Sequence, residues 1–224
     1  MMSTLPGGRL LSLSAVGLAF GWLSSALNHG TSMVAIYASK VVGADWGWLA
    51  AGVAVALMSR ELRAAFESTL AFLASAVMAY YVADIVAGVY ASDLGDGVVQ
   101  VSYGGAIVDA FGYLIVATIA AGGLGLVAFL SRRVDFIGLV SRIVVPGYIA
   151  YSALSLHAAL HGLSIPVDPV MEQVSLVVGW CAAATSLVVA LFSLARLTFR
   201  RSRRTEGRFS GTGVQKVSSN DCQT

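Results

Sequence analysis

Apolar and polar positions in this chain are sorted into long blocks. Six apolar stretches are separated by short polar connections, at about residues 10–27, 41–59, 66–90, 106–130, 143–160 and 170–195. A helix advances about 1.5 Å per residue, so about 20 residues cross the hydrocarbon of a bilayer. The second stretch is short at its strict limits, from Trp46 to Ser59, and its start is therefore set near Val41. Unsatisfied backbone amides are costly in lipid, so such stretches are expected to be helices. A barrel would show short alternating segments instead. The pattern predicts an all-α polytopic membrane protein, a six-helix transmembrane bundle over residues 1–198, followed by a disordered basic cytoplasmic tail over 199–224.

Composition agrees, with 57% apolar residues, 12% charged residues and a mean hydropathy of +0.79. The distribution of charge then orients the threading. With six spans, every Lys and Arg except Lys40 falls on one side: Arg9, Arg60 and Arg63, Arg132, Arg133 and Arg142, and the seven after the sixth span. Short cytoplasmic loops collect positive charge, so both termini are expected in the cytoplasm of a cell membrane. A competing reading takes Arg9, the apolar run and Ser24-Ser25-Ala26 as a cleaved secretory signal. The small-xxx-small pair Gly17 and Gly21 favours a retained, packed helix, and Gly122-Gly123-Leu124-Gly125 marks span four as a second site of close approach.

Residues 197–224 change character, with Arg200, Arg201, Arg203 and Arg204 against the membrane and Gly, Ser, Thr and Gln beyond. The simplest role is a stop-transfer anchor. Binding of anionic lipid at these arginines is the functional alternative. No aromatic residue is interleaved among them, which argues against nucleic acid. Cys181 lies in the sixth span and Cys222 in the tail, so neither suits a disulfide framework. No P-loop, GxSxG elbow, HExxH or dinucleotide glycine pattern is present, and no cofactor is expected.

Candidate chemistry lies in the polar residues at the outer ends of the spans. Asp84, Asp109 and Glu172 fall inside apolar stretches, with His29, His157 and His161 near the same membrane face. Ionisable groups in a span cost roughly 2.5–3.5 kcal/mol at midplane and normally turn inward. Tyr80, Asp84, Asp109, His157, His161 and Glu172 are therefore expected to share one polar vestibule. In Tyr80-Tyr81-Val82-Ala83-Asp84, the phenol of Tyr80 shares a face with the acid and is expected to donate to it. A buried interhelical clamp is the plain role for the pair; proton or cation handling and snorkelling to the interface are the alternatives. His157 and His161 have metal-compatible i,i+4 spacing, with Asp109, Glu172 or His29 as further ligands; the plain alternative is a pair at the water boundary. Trp46, Trp48, Tyr90 and Tyr103 are expected to form an aromatic belt. Glu67 is expected to pair with Arg63 and Arg142 to reach the headgroups, while Pro146 is placed in the first turn of span five.

On these features the chain resembles a family of small, uncharacterised bacterial multi-pass membrane proteins, known as a domain of unknown function. The resemblance covers about residues 10–160. It rests on Gly17-Leu18-Ala19-Phe20-Gly21, Trp46-Gly47-Trp48-Leu49-Ala50, the turn Arg60 to Arg63, Tyr80-Tyr81-Val82-Ala83-Asp84 with Gly88, and Arg132-Arg133. It implies a bacterial inner-membrane protein and no particular activity. The leading expectation is a non-enzymatic membrane protein, a small transporter-like bundle or a structural or regulatory subunit with a membrane-protein partner or a second copy of itself. The alternative is an intramembrane metal-dependent hydrolase using the outer His and carboxylate cluster. No internal repeat supports a two-fold transporter, and no span contains a mid-helix proline on the sequence-assigned boundaries.

Overall fold

The computed structural model describes residues 7–93, 99–162 and 168–209. Seven helices and one small hairpin follow in order: α1 (Gly7–Asn28), α2 (Met33–Val42), α3 (Asp45–Leu57), α4 (Leu62–Val86), β1 (Ala91–Asp93), β2 (Val99–Val101), α5 (Tyr103–Leu130), α6 (Phe136–Gly162) and α7 (Pro169–Phe209). Five of the helices are long and apolar enough to cross a membrane, and a sixth crossing is reached only by joining α2 to α3 across a 60° bend. These features are consistent with a multi-pass membrane protein. Of the tail expected from 199 onward, α7 carries the backbone to Phe209, and 210–224 lie outside the described residues.

The stretch expected as one helix over 41–59 is interrupted. Ser32 caps α2 by accepting from the Ala35 amide, and α2 stops at Gly43, whose N–H returns to the Ser39 carbonyl. Ala44 is extended at ψ 161°, and α3 begins afresh at Asp45, an acid suited to the positive end of a helix. Helix α4 also ends earlier than its apolar run. Gly88 adopts φ +81°, its N–H bonds the Ile85 carbonyl, and the Val89 N–H reaches back to Asp84. This six-to-one and five-to-two pair of bonds closes the last turn, and only glycine takes that backbone without strain. The chain then forms the antiparallel pair β1–β2, with Ser92 opposite Gln100.

Packing is tightest between α1 and α4. Leu13, Gly17, Gly21, Ser24 and Ser25 are the buried residues of α1 and share one face at helical spacing. A methyl on Gly17 would overlap the Phe72 carbonyl and one on Gly21 the Ala76 carbonyl, so the two backbones nearly touch. In lipid, burying an apolar side chain gains little over contact with acyl chains. Close backbone approach through small residues is what holds such helices together. In α5 only Gly125 serves this purpose, against Phe66; Gly122 and Gly123 face open space. Helices α6 and α7 form a second close pair, joined to α3 by the buried Trp46 with Ile149, Ala153 and Val174.

Arginines gather at one end of the bundle. Arg9 donates to the Met58 carbonyl at 2.8 Å, and Arg132 to the Leu57 and Ser59 carbonyls at 2.7 and 2.6 Å, so both satisfy the last turn of α3. Arg63 pairs with Glu67 at 2.6 Å, the i,i+4 contact expected from sequence. Arg142 does not reach outward. It donates to the Ser131 and Arg133 carbonyls and to Ser193 Oγ, tying the end of α5 to α7. Asp135 accepts from the Gly138 amide and starts α6 well before residue 143. Pro146 is therefore inside α6 and not in its first turn, where its missing N–H leaves the Arg142 carbonyl without the usual helical donor.

Candidate functional site

The opposite end of the bundle carries the histidines and most of the described acids, and its centre is Asp84. This carboxylate sits in the last turn of α4 and is only 6% exposed. Ser25 Oγ donates to its Oδ1 at 2.6 Å, and His29 Nε2 lies 3.0 Å from the same oxygen. Ser25 lies in the last turn of α1 and His29 just past its end, one turn apart on the continuation of its small-residue face. Tyr80 does not donate to Asp84; its hydroxyl accepts from Asn28 Nδ2 at 2.9 Å. The α1–α4 interface thus closes with two polar clamps, one made by Asp84 and one by Tyr80. Oδ2 of Asp84 has no hydrogen-bond partner among the described residues.

Asp84 also lines a cavity of about 480 Å³ between α3, α4 and α5. Its wall carries the rings of Trp48, Tyr80, Tyr81, Tyr90, Tyr113 and Tyr148, with Asp45 as the second carboxylate and Leu73, Val77 and Leu124 deeper in. Five of these rings form a connected set. Trp48 lies edge-on to Tyr80 at 6.2 Å, Tyr80 to Tyr81 at 5.6 Å, and Tyr81 contacts Tyr90 and Tyr113 at 6.4 and 5.9 Å. Trp46 and Trp48, expected in a lipid-facing belt, point inward instead. Trp46 is buried and Trp48 packs on Phe20 at 5.2 Å, because the bend before α3 turns that helix's first residues toward α1, α4 and α6. No Lys or Arg is among the described residues that line the cavity. The break between α2 and α3 opens onto it through Gly43 and Asp45.

Asp109 meets this wall from outside. Tyr90 donates to Asp109 Oδ2 at 2.9 Å, and the Tyr90 hydroxyl is pushed up to about 12, first by burial, then by this hydrogen bond and the Asp109 charge. Tyr90 therefore stays a neutral donor at ordinary pH.

His157, His161 and Glu172 form a separate group where α6 and α7 meet. His161 Nε2 lies 2.7 Å from Glu172 Oε1, and the two imidazoles stand perpendicular at 4.6 Å between centroids. Beside them Lys40 of α2 pairs with Asp168 at 3.0 Å, holding the Asp168 carboxyl below the usual carboxylate range, and Tyr37 donates to Gln173. No hydrogen bond or ion pair among the described residues links this group to Asp84. Of the six residues expected in one vestibule, Tyr80 and Asp84 line the cavity and Asp109 bonds Tyr90 of its wall, while His157, His161 and Glu172 group together. Helix α6 meets α3 through Val145, Ile149 and Ala153, the last about one turn short of His157.

Sequence reasoning did not single out Ser25, Asn28, Tyr113 or Tyr148. The first two were signalled by the stripe Gly17, Gly21, Ser25, Asn28, since a polar residue continuing an interface face meets whatever the partner helix presents. Tyr113 and Tyr148 carried no comparable signal. No family model matches the chain, and comparisons with curated proteins and with solved structures also return no match.

Proposed function

We propose that this protein is a six-span, non-enzymatic membrane protein, a small transporter-like bundle whose cavity receives a small organic cation with apolar substituents. The observation that carries this reading is the cavity wall, with six aromatic rings, two carboxylates and no lining cation. Aromatic faces attract cations, and in a desolvated setting each such contact is worth about 2 kcal/mol. The volume falls in the range typical of small-molecule pockets, roughly 300–1,000 Å³. Asp84 supplies the countercharge, with Oδ1 engaged by Ser25 and His29 and Oδ2 left for the ligand. The α2–α3 break supports a transporter-like bundle, because interrupted helices place backbone polar groups at ligand sites.

In this reading α2 and α3 together are the second span, and both termini lie in the cytoplasm of a bacterial inner membrane. The arginine end then faces the anionic leaflet and the cavity opens outward. Residues 200–204 serve as the anchor, with anionic headgroups as the ligand of their arginines. The resemblance to a bacterial family of unknown function remains a proposal resting on the stretch from Tyr80 to Asp84.

The test is calorimetric titration of tetraphenylphosphonium into the protein in lipid nanodiscs, beside the uncharged triphenylphosphine oxide. The cation is expected to bind and the neutral analogue to bind at least about tenfold more weakly. Asp84→Asn, which keeps an acceptor for Ser25, is expected to remove that preference. Equal binding of both compounds, or an unchanged preference in Asp84→Asn, overturns the reading.

A further inference from the structure

We propose that His157, His161 and Glu172 form a binding site for a divalent transition-metal ion of the zinc class, joining α6 to α7 and separate from the cavity at Asp84. One donor atom from each residue lies within 4.8 Å of the others. A tetrahedral zinc ion with bonds of about 2.1 Å needs donors about 3.4 Å apart. Small side-chain rotations close that gap, since His161 is 61% exposed at the side chain and free to turn.

Local structure prepares each ligand. His157 and His161 are one turn apart, so both rings leave the same face of α6. His157 Nδ1 lies 3.3 Å from the Glu172 backbone carbonyl, which accepts only from an N–H. That contact places the proton on Nδ1 and leaves Nε2 with its lone pair, the arrangement by which a backbone carbonyl orients a metal-binding imidazole. Glu172 lies in the first turn of α7 and His161 in the last turn of α6, so the ends of the two helices bring them together. Lys40, the nearest described lysine partner on this side, is engaged by Asp168, and no Lys or Arg among the described residues pairs with Glu172.

The donor set also selects the ion. Two imidazoles with one carboxylate suit zinc, cobalt or nickel, whereas magnesium and calcium prefer oxygen alone. Three protein ligands leave at least one position to water. Without a metal the same residues form a His–Glu ion pair, and that simpler arrangement is what the experiment must exclude.

The experiment uses the full chain purified without a histidine tag, placed in nanodiscs, stripped with chelator and titrated with zinc, with elemental analysis of the retained metal. One zinc per chain and a rise in melting temperature are expected. His157→Ala with His161→Ala should weaken zinc binding at least about tenfold and abolish the rise, while replacement of the exposed thiol, Cys181→Ala, keeps both. Cobalt(II) absorption of the unmodified protein should show imidazole coordination, a readout independent of how well any variant folds. Failure of the unmodified protein to retain zinc, equal retention by the double variant, or a cobalt spectrum without imidazole ligation each overturns the proposal and leaves the ion pair. A loss of tetraphenylphosphonium binding without loss of zinc would strike only the cavity reading.

Discussion

The pair α1–α4 and the pair α6–α7 are both helical hairpin-like contacts in one apolar chain, yet they are built differently. On α4, 44% of the spanning window is buried, against 11% on α6. The first pair is held by backbone approach at Gly17 and Gly21 and closed by a buried carboxylate with one partner in the last turn of α1 and one just past its end. The second leaves most of its apolar surface outward and keeps its histidines at the exposed end. Lipid explains the contrast. Where acyl chains solvate leucine as well as a protein does, a helix gains from burial only if small residues permit close contact or if it carries a polar group that must leave the lipid. Helix α4 has both reasons, and α6 has neither over most of its length.

The sharpest test compares two glycines. At Gly21 an added methyl overlaps the Ala76 carbonyl, which cannot move without its helix; at Gly179 it meets Leu154 Cδ2 and Cγ at 2.7 Å, with the Leu154 backbone N at 3.3 Å, so a side chain takes the main overlap. Gly21→Ala is expected to cost about 3 kcal/mol and Gly179→Ala about 1–2 kcal/mol, read from reversible unfolding in micelles. Equal costs would mean that the two pairs are packed alike.

Next in size is the loss of a polar partner. Asp84→Ala strands the buried Ser25 and takes the partner from the part-exposed His29, and should cost about 1–3 kcal/mol. In metal-free protein, His161→Ala removes an exposed ion pair and should cost about 0–1 kcal/mol. A larger effect at His161 than at Asp84 would reverse the comparison.

The smallest effect belongs to Lys40 and Asp168, which dock α2 on the second pair. The Asp168 carboxyl is held below its ordinary range chiefly by the Lys40 hydrogen bond. Its contribution is therefore present above the unfolded value of about 3.9 and fades as pH falls through the lower folded value. With both side chains at least a third exposed, Lys40→Ala should cost less than about 1 kcal/mol at neutral pH. The melting-temperature difference from the unmodified protein should shrink toward pH 3. A difference that grows as pH falls would contradict the assignment.

Much of this architecture was legible along the chain. Apolar runs long enough to span lipid marked α1, α4, α5, α6 and α7, because length and hydropathy are local properties of a helix. The Gly17–Gly21 spacing announced a close interface for the same reason, and the Arg63–Glu67 pair followed from i,i+4 geometry alone. What depended on rotation about helix axes was not legible. Depth placed Asp84, Asp109, His157 and Glu172 near one membrane face, but only the tertiary structure decided that α1 partners Asp84, that Tyr90 takes Asp109, and that Glu172 turns to the histidines. The bend at Gly43 and the inward turn of Trp48 were decided in the same way, by which helix stood opposite. Sequence sets how far along a helix a residue lies, whereas its azimuth acquires meaning only when a neighbour packs against it.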